Sequence, residues 1–315
     1  MQYYFTYVLG MKSPSGLKAS MGTTFHRVMQ VLADKQIAQR NKKKLLENDD
    51  IGNLTFEECD NLELVTERCY NYYKENDNPN LSPKELKQII KWVHASLAYR
   101  DGELDPRNMN VEATELFFDI EIKKDWAKYE YEVNGEKIEG YLSIKGTVDL
   151  IINEGGNYFQ VLDFKTGKRL DWATGKEKTH ADLHKDKQLL LYYYALKNMY
   201  PDRNFFISIY YINDGGLFEM VFDDSDYEKA EKMLKERFQY IKSVELPRQV
   251  SKDQTDWKCK YLCKFSQEWE NTGKTACKFF HDMLKSEGMK AVSEKYIDLK
   301  KMTQYQGGGR LAKDE

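Results

Sequence analysis

Two aspartates stand out before any element is assigned. The stretches Gly146-Thr147-Val148-Asp149-Leu150 and Val161-Leu162-Asp163-Phe164-Lys165-Thr166-Gly167 are apolar and β-rich, yet each carries one aspartate where strand propensity disfavours it. Side chains alternate across a strand, so Asp163 and Lys165 share a face while Leu162 and Phe164 point to the other. An antiparallel hairpin turning at 155–157 pairs Glu154 with Tyr158, and therefore Asp149 with Asp163. Directly opposed Cβ atoms lie about 4.5–5.5 Å apart. Carboxylates that close repel, and a divalent cation between them relieves the cost most simply. Oxygen ligands suit Mg2+ or Mn2+. Lys165, one pleat along, then points at whatever the ion holds. For phosphodiester hydrolysis the set is sufficient in kind: the ion acidifies water and neutralises developing charge, and the ammonium orients the nucleophile or stabilises the phosphorane. Solvated strand ends and a turn lysine are the bland alternative, sound for each residue singly and weak for the three together.

The elements that must hold these groups can be read from periodicity. Phe25, Val28, Met29, Leu32 and Ile37 recur at helical spacing between Ser20 and Leu46, with Lys42-Lys43-Lys44 at the favourable end of the helix dipole. Thr55-x-x-Glu58 and Ser82-Pro83-x-Glu85 read as capping boxes, so 50–105 is a helical insert. The period then changes. Val111 to Ile122, Tyr129 to Val133, Tyr141 to Asn153 and Tyr158 to Phe164 have strand composition, with a hairpin turn at Asn134-Gly135. A helix is predicted from Asp182 to Tyr200. A hairpin around Asn213-Asp214-Gly215-Gly216 follows, joining Phe205–Ile212 to Leu217–Phe222, and then a helix capped at Ser225. This order is that of a mixed α/β domain. The expected division is a core at 1–245 and a cysteine-containing, largely helical appendage at 246–315.

Composition sets outer limits. The 315 residues are 41% hydrophobic and 31% charged with net charge −3, enough for a large core and far from a protein coated in positive charge. No apolar run approaches the roughly 20 residues of a membrane-spanning helix. The N-terminus shows no basic stretch followed by an apolar block, so a cytoplasmic protein with no membrane association is expected. Five cysteines, an odd number, point to thiols or metal ligation in a reducing compartment.

The strand Gly146-Thr147-x-Asp149, the strand Asp163-Phe164-Lys165-Thr166-Gly167 and the later Gln188-x-x-x-Tyr192 resemble the PD-(D/E)XK nuclease superfamily, and within it the RecB/AddB-like exonucleases that include the CRISPR-adaptation nucleases. The resemblance begins at Tyr3-Tyr4-Phe5 and continues through Gly22-Thr23-Thr24-Phe25-His26 to about Ile241. It implies a restriction-endonuclease-like mixed β-sheet flanked by helices. It implies Mg2+ or Mn2+ held by His26, Asp149, Asp163 and Glu115, with Lys165 as catalytic lysine and Gln188 and Tyr192 positioning the substrate. The implied reaction is metal-dependent cleavage of DNA, commonly exonucleolytic on single strands or duplex ends, with a separate helicase or recombination protein as partner. A structure-specific endonuclease and a catalytically silent DNA-binding module remain the alternatives.

The segment 165–187 fits such a substrate, carrying seven lysines and arginines against four acids for a net +3. Lys168, Arg169, Trp172 and Lys176 are its candidate DNA contacts, combining phosphate-binding charge with a stackable aromatic. His180 and His184 lack a third ligand and are read as structural. Cys259-x3-Cys263-x13-Cys277 resembles the three C-terminal ligands of a [4Fe–4S] cluster found in many members of the branch. The fourth is expected just before Tyr3, where this sequence has none: either the chain is shortened at its N-terminus, or Cys59 or Cys69 substitutes, or there is no cluster. Gly273-Lys274-Thr275 mimics the end of a phosphate-binding P-loop, but Glu268 stands where that loop needs glycine, so no ATPase is expected.

Overall fold

The structure, a computed structural model, describes residues 4–11, 16–133, 136–171, 174–244, 246, 247, 249, 256, 259 and 263–296. The chain divides into two compact units, one spanning Ser15–Phe238 and the other combining Met1–Pro14 with Gln239–Glu315.

The larger unit is built on a five-stranded sheet of order β1-β4-β5-β6-β7. Its strands are β1 (Val111–Glu121), β4 (Ser143–Gly155), β5 (Tyr158–Lys165), β6 (Asn204–Tyr211) and β7 (Gly216–Val221). All neighbours are antiparallel except β5 and β6, which run parallel across a helical crossover. The central strands read as apolar runs because both of their faces are covered. Leu150, Ile152, Leu162 and Phe164 join one core with Phe25 and Val28. Val148, Ile151 and Val161 join the other with Leu189 and Tyr193. The two strands β2 (Lys128–Val133) and β3 (Glu136–Tyr141) form a ribbon of their own, separate from the main sheet. The hairpin turn expected at Asn134-Gly135 lies outside the described residues.

Helix α1 (Leu17–Arg40) covers the first core with α2 (Phe56–Asp60), α3 (Leu62–Asn76) and α4 (Pro83–Leu97). Both predicted capping boxes are present: Thr55 with Glu58, and Ser82 with Glu85 behind Pro83. Asn41 ends α1, so Lys42-Lys43-Lys44 lie beyond the helix and Arg40 is the cation in its last turn, a correction to the expected span. On the other face, the single helix expected from Asp182 is two: α5 (His180–Leu183) and α6 (Lys187–Met199). The break comes at Asp186, whose side chain accepts the Gln188 amide and restarts the helix as an N-cap. Helix α7 (Asp224–Lys242) follows β7.

The β4–β5 register departs from expectation at one point. Gly155, not Glu154, pairs with Tyr158, and a bulge between Asn153 and Gly155 absorbs the extra residue. Gly155 and Gly156 take φ of 89° and 56°, a left-handed turn open to glycine. Below the bulge the pairs Asn153–Phe159 through Leu150–Leu162 keep the expected register.

In the smaller unit, Tyr4, Phe5 and Leu9 pack with Cys277, Phe280, Met283, Leu284 and Val292 of α8 (Ala276–Tyr296), a helix interrupted at Gly288. The Phe5 ring lies 5.4 Å from Phe280 and 4.4 Å from Phe265, so the aromatic run of the N-terminal motif is core here. In the P-loop look-alike, Glu268 accepts the Gly273 amide at 2.9 Å, placing a carboxylate where a phosphate oxygen would sit.

Candidate active site

Strands β1, β4 and β5 set three carboxylates in a row. Thr114 pairs with Leu150 and Leu116 with Val148, so Glu115 stands across from Asp149. The β4–β5 ladder ends at Leu150–Leu162, and its register carried one step further sets Asp149 across from Asp163. Glu115 has φ of 45°, a left-handed conformation of order 1–3 kcal/mol above the strand basin, and it interrupts the ladder there. The departure aims its carboxylate at the neighbouring strand. Ligand atoms of Glu115, Asp149 and His26 all lie within 4.8 Å of one another. His26 comes from α1, its Nδ1 3.1 Å from Asp149 Oδ2, and the Phe164 amide donates to the same oxygen at 2.9 Å.

Asp163 is 1% exposed and stands apart from that trio. Lys165 Nζ lies 2.5 Å from its Oδ2. The Lys165 ammonium faces Oδ2, which is otherwise buried away from donors among the described residues. Gln188, on α6, joins the cluster: its Nε2 donates to Asp163 Oδ1 at 3.3 Å and to the Tyr192 hydroxyl at 2.5 Å, and its Oε1 accepts from Lys165 Nζ at 3.2 Å. Spacing i, i+4 puts Gln188 and Tyr192 on one face of α6, as the sequence requires. Tyr193 and Tyr194 turn into the core, against Phe222 and Tyr227.

The charges are uneven. Burial, and then the Asp149 charge, push the Asp163 carboxyl well above the usual range. Burial opposes ionisation of Asp149 too, but His26 and the Phe164 amide overcome it and hold Asp149 below the ordinary value. Glu115 is raised to about 7 by burial and by Asp149. His26 is pulled down by burial and up by Asp149, Asp163 and Glu115, for a net rise. This is a pocket of excess negative charge in which one ammonium, Lys165, meets the deepest carboxylate. Its donors, three carboxylates and an imidazole, fit a divalent ion of the Mg2+ or Mn2+ type.

Two glycines of the motifs have steric reasons. A methyl on Gly22 would stand 3.0 Å from Thr166 Oγ1, so glycine lets α1 close on the turn after Lys165. A methyl on Gly146 would overlap the buried Phe118 ring, which packs edge-on against Tyr192 with centroids 6.4 Å apart. Gly146→Ala is therefore expected to destabilise the unit by about 1–3 kcal/mol, the range for overpacking. Thermal unfolding would measure it; an unchanged midpoint would contradict the packing account.

The segment after Lys165 is more organised than a solvated run of charge. Leu170 bridges Glu177, and Arg169 lies over Phe218 while bonding the Lys178 carbonyl and Glu177. Arg169 thus pins the loop internally. Lys168 and Lys176 are exposed, and Trp172 lies outside the described residues. His180 meets the Glu219 carbonyl and His184 meets Asp226. Missed from sequence was Arg27, buried beside His26, bonded to Gln30 and Asp50, its charge lowering Glu115. Its only signal was a cation on an otherwise apolar helix stripe.

In the smaller unit, burial raises the Cys277 thiol and nearby Cys263 and Cys259 raise it further. Cys59 and Cys69 belong to the core of the larger unit, both 0% exposed and both raised by burial, Cys69 to about 12. They are packed thiols. The smaller unit itself holds three cysteines, one short of a four-cysteine cluster.

A strained acidic row on a mixed sheet, with a lysine two residues beyond its last aspartate, is the site architecture of a nuclease. Residues 1–267 match the profile of the PD-(D/E)XK nuclease superfamily. The chain belongs to that superfamily and is a nuclease with a restriction-endonuclease-like fold. No curated protein matches it. Similar solved structures include two of low sequence identity. A protein from Eubacterium rectale, itself only proposed to be an exonuclease, is 13% identical, with 82% of this chain and 96% of that one covered and a TM-score of 0.37. The protein SSO0001 is 17% identical, with 76% and 86% covered and a TM-score of 0.27. At those scores neither bears on the function of this chain. Among the described residues no helix is long and apolar enough to cross a membrane.

Proposed function

We propose that the chain is a divalent-metal-dependent deoxyribonuclease of the RecB/AddB-like branch, acting as an exonuclease on single-stranded DNA or duplex ends in recombination, repair or phage DNA metabolism. The observation that carries this reading is the cluster of His26, Glu115 and Asp149 ligand atoms together with the buried Asp163 carboxylate paired with Lys165. Asp149, Asp163, Glu115 and His26 would hold Mg2+ or Mn2+. When bound, such an ion supplies the charge neutralisation and water acidification that phosphodiester hydrolysis needs.

The chain's own residues do the rest. Lys165, 31% exposed, can turn its ammonium from Asp163 toward a phosphate oxygen or an attacking water. Gln188 accepts from that ammonium and donates to the Tyr192 hydroxyl, holding both in place, while burial and the Asp163 and Asp149 charges keep Tyr192 protonated. Lys168 and Lys176 offer exposed charge to the DNA backbone. Cys259, Cys263 and Cys277 of the smaller unit would supply three ligands of a [4Fe–4S] cluster.

The test is cleavage of end-labelled single-stranded DNA with Mn2+ or Mg2+, beside a circular single strand. Mononucleotide or short products from the linear strand, with the circle intact, are expected. Cutting of the circle would make the chain an endonuclease. Binding without turnover in any divalent metal would make it a silent DNA-binding module.

A further inference from the structure

We propose that Asn213, oriented by Trp92 of the helical insert, is a positioning residue that holds the catalytic turn after Lys165. The inference rests on the nuclease reading and goes beyond it by giving the insert a role in the reaction.

Lys165 is the last residue of β5, and beyond it the sheet no longer dictates the backbone. The turn between β6 and β7 takes over. Ile212 N donates to the Lys165 carbonyl at 3.1 Å, and Asn213 Nδ2 donates to the Thr166 carbonyl at 3.0 Å. Asp214 Oδ2 accepts the Arg169 amide at 2.6 Å. Three consecutive residues thus hold the segment, and the Asn213 side chain bonds the residue next to the lysine.

An asparagine amide can face either way, so something must set its direction. Trp92 does so. An indole nitrogen can only donate, and Trp92 Nε1 donates to Asn213 Oδ1 at 2.9 Å. That leaves the amide nitrogen for Thr166. Trp92 is itself held by burial among Ile89, Val93 and Leu97 of α4. A second tie reinforces it: Leu217 N donates to the Tyr99 hydroxyl at 3.2 Å, and the Tyr99 and Tyr210 rings lie 4.9 Å apart. The insert therefore clamps the β6–β7 turn, which in turn fixes the backbone beneath the Lys165 ammonium. A shift of well under 1 Å there would misplace the ammonium relative to Asp163 and Gln188, and positioning errors of that size reduce rate rather than binding.

The test compares the full chain with Asn213→Ala, Asn213→Asp and Trp92→Phe. Asn213→Asp keeps the acceptor for Trp92 and replaces only the donor to Thr166. Both Asn213 variants are expected to lower kcat for single-stranded DNA about tenfold, with KM and the Mn2+ activation constant within about twofold of the unaltered chain. Trp92→Phe should lower kcat less, about threefold, because the amide is free to turn over. In hydrogen exchange, peptides spanning 164–170 should exchange faster in all three variants, while those of α1 keep their rates. Unchanged kcat and exchange, or parallel losses in KM and Mn2+ activation, would overturn the positioning role. If the unaltered chain cleaves nothing, the nuclease reading fails, and the exchange arm still decides whether Asn213 and Trp92 fix the turn.

Discussion

Asp163→Asn is expected to lower DNA cleavage by roughly a thousandfold or more while leaving the metal-free thermal midpoint unchanged or raised. The two effects have one cause. The Asp163 carboxyl is 1% exposed, and burial together with Asp149 opposes its ionisation. A charge buried that way opposes folding. An isosteric amide removes the charge without leaving a cavity. Lys165 loses an ion pair, but it is 31% exposed and water solvates it, so little stability goes with the pair. Groups placed for chemistry at the expense of stability are a regular feature of active sites. Cleavage assays beside thermal denaturation check both halves. Cleavage surviving in the variant would put the active site elsewhere, and a midpoint many degrees lower would mean that Asp163 is a structural residue.

The second large effect is a coupling between pH and metal. Mn2+ is expected to raise the thermal midpoint by several degrees at pH 8 and much less near pH 5.5. Glu115, raised to about 7, and Asp163, raised from the ordinary aspartate value, keep their protons in the folded state at pH values where the unfolded chain has released them. The folded state thus binds more protons between the ordinary carboxylate range and about pH 7, and stability falls as pH rises through that window. His26, also raised, acts in the same sense: its contribution is present below its unfolded value and fades as pH rises past its folded one. Asp149, lowered, acts in the opposite sense: its contribution is present above the ordinary aspartate value and is lost as pH falls past its folded one. A cation needs these groups deprotonated, so it binds best where the metal-free protein is weakest. Midpoints measured with Mn2+ and with chelator across pH 5.5–8 check this, with Asp149→Ala as the control that should lose the metal increment. A pH-independent increment, or one retained in that control, would remove Glu115, Asp149 and Asp163 as the binding groups.

Legibility from sequence followed interaction range. The capping boxes at Thr55 and Ser82 were readable because their partners sit three residues apart. The β4–β5 register was readable because a short hairpin leaves few alternatives, although the bulge that preserves it was not. Lys165 beside Asp163 follows from strand alternation alone. The break at Asp186 escaped because the apolar period runs on through it and one N-cap decides the matter. The contacts of Arg169 with Phe218 and Glu177 escaped because a charge on a loop does not reveal which groups meet it.

By itself the sequence determined the motif strands, the helices that flank them, and the pair of aspartates with their lysine, since each depends on neighbours a few residues away. Only the tertiary structure decided that Glu115 leaves the strand conformation to face Asp149, that Gln188 links Lys165 to Tyr192, and that Trp92 reaches Asn213 across 121 residues of chain. Those meetings are set by how two helical layers settle on opposite faces of one sheet, and such packing depends on side-chain shape throughout both cores rather than on any local pattern.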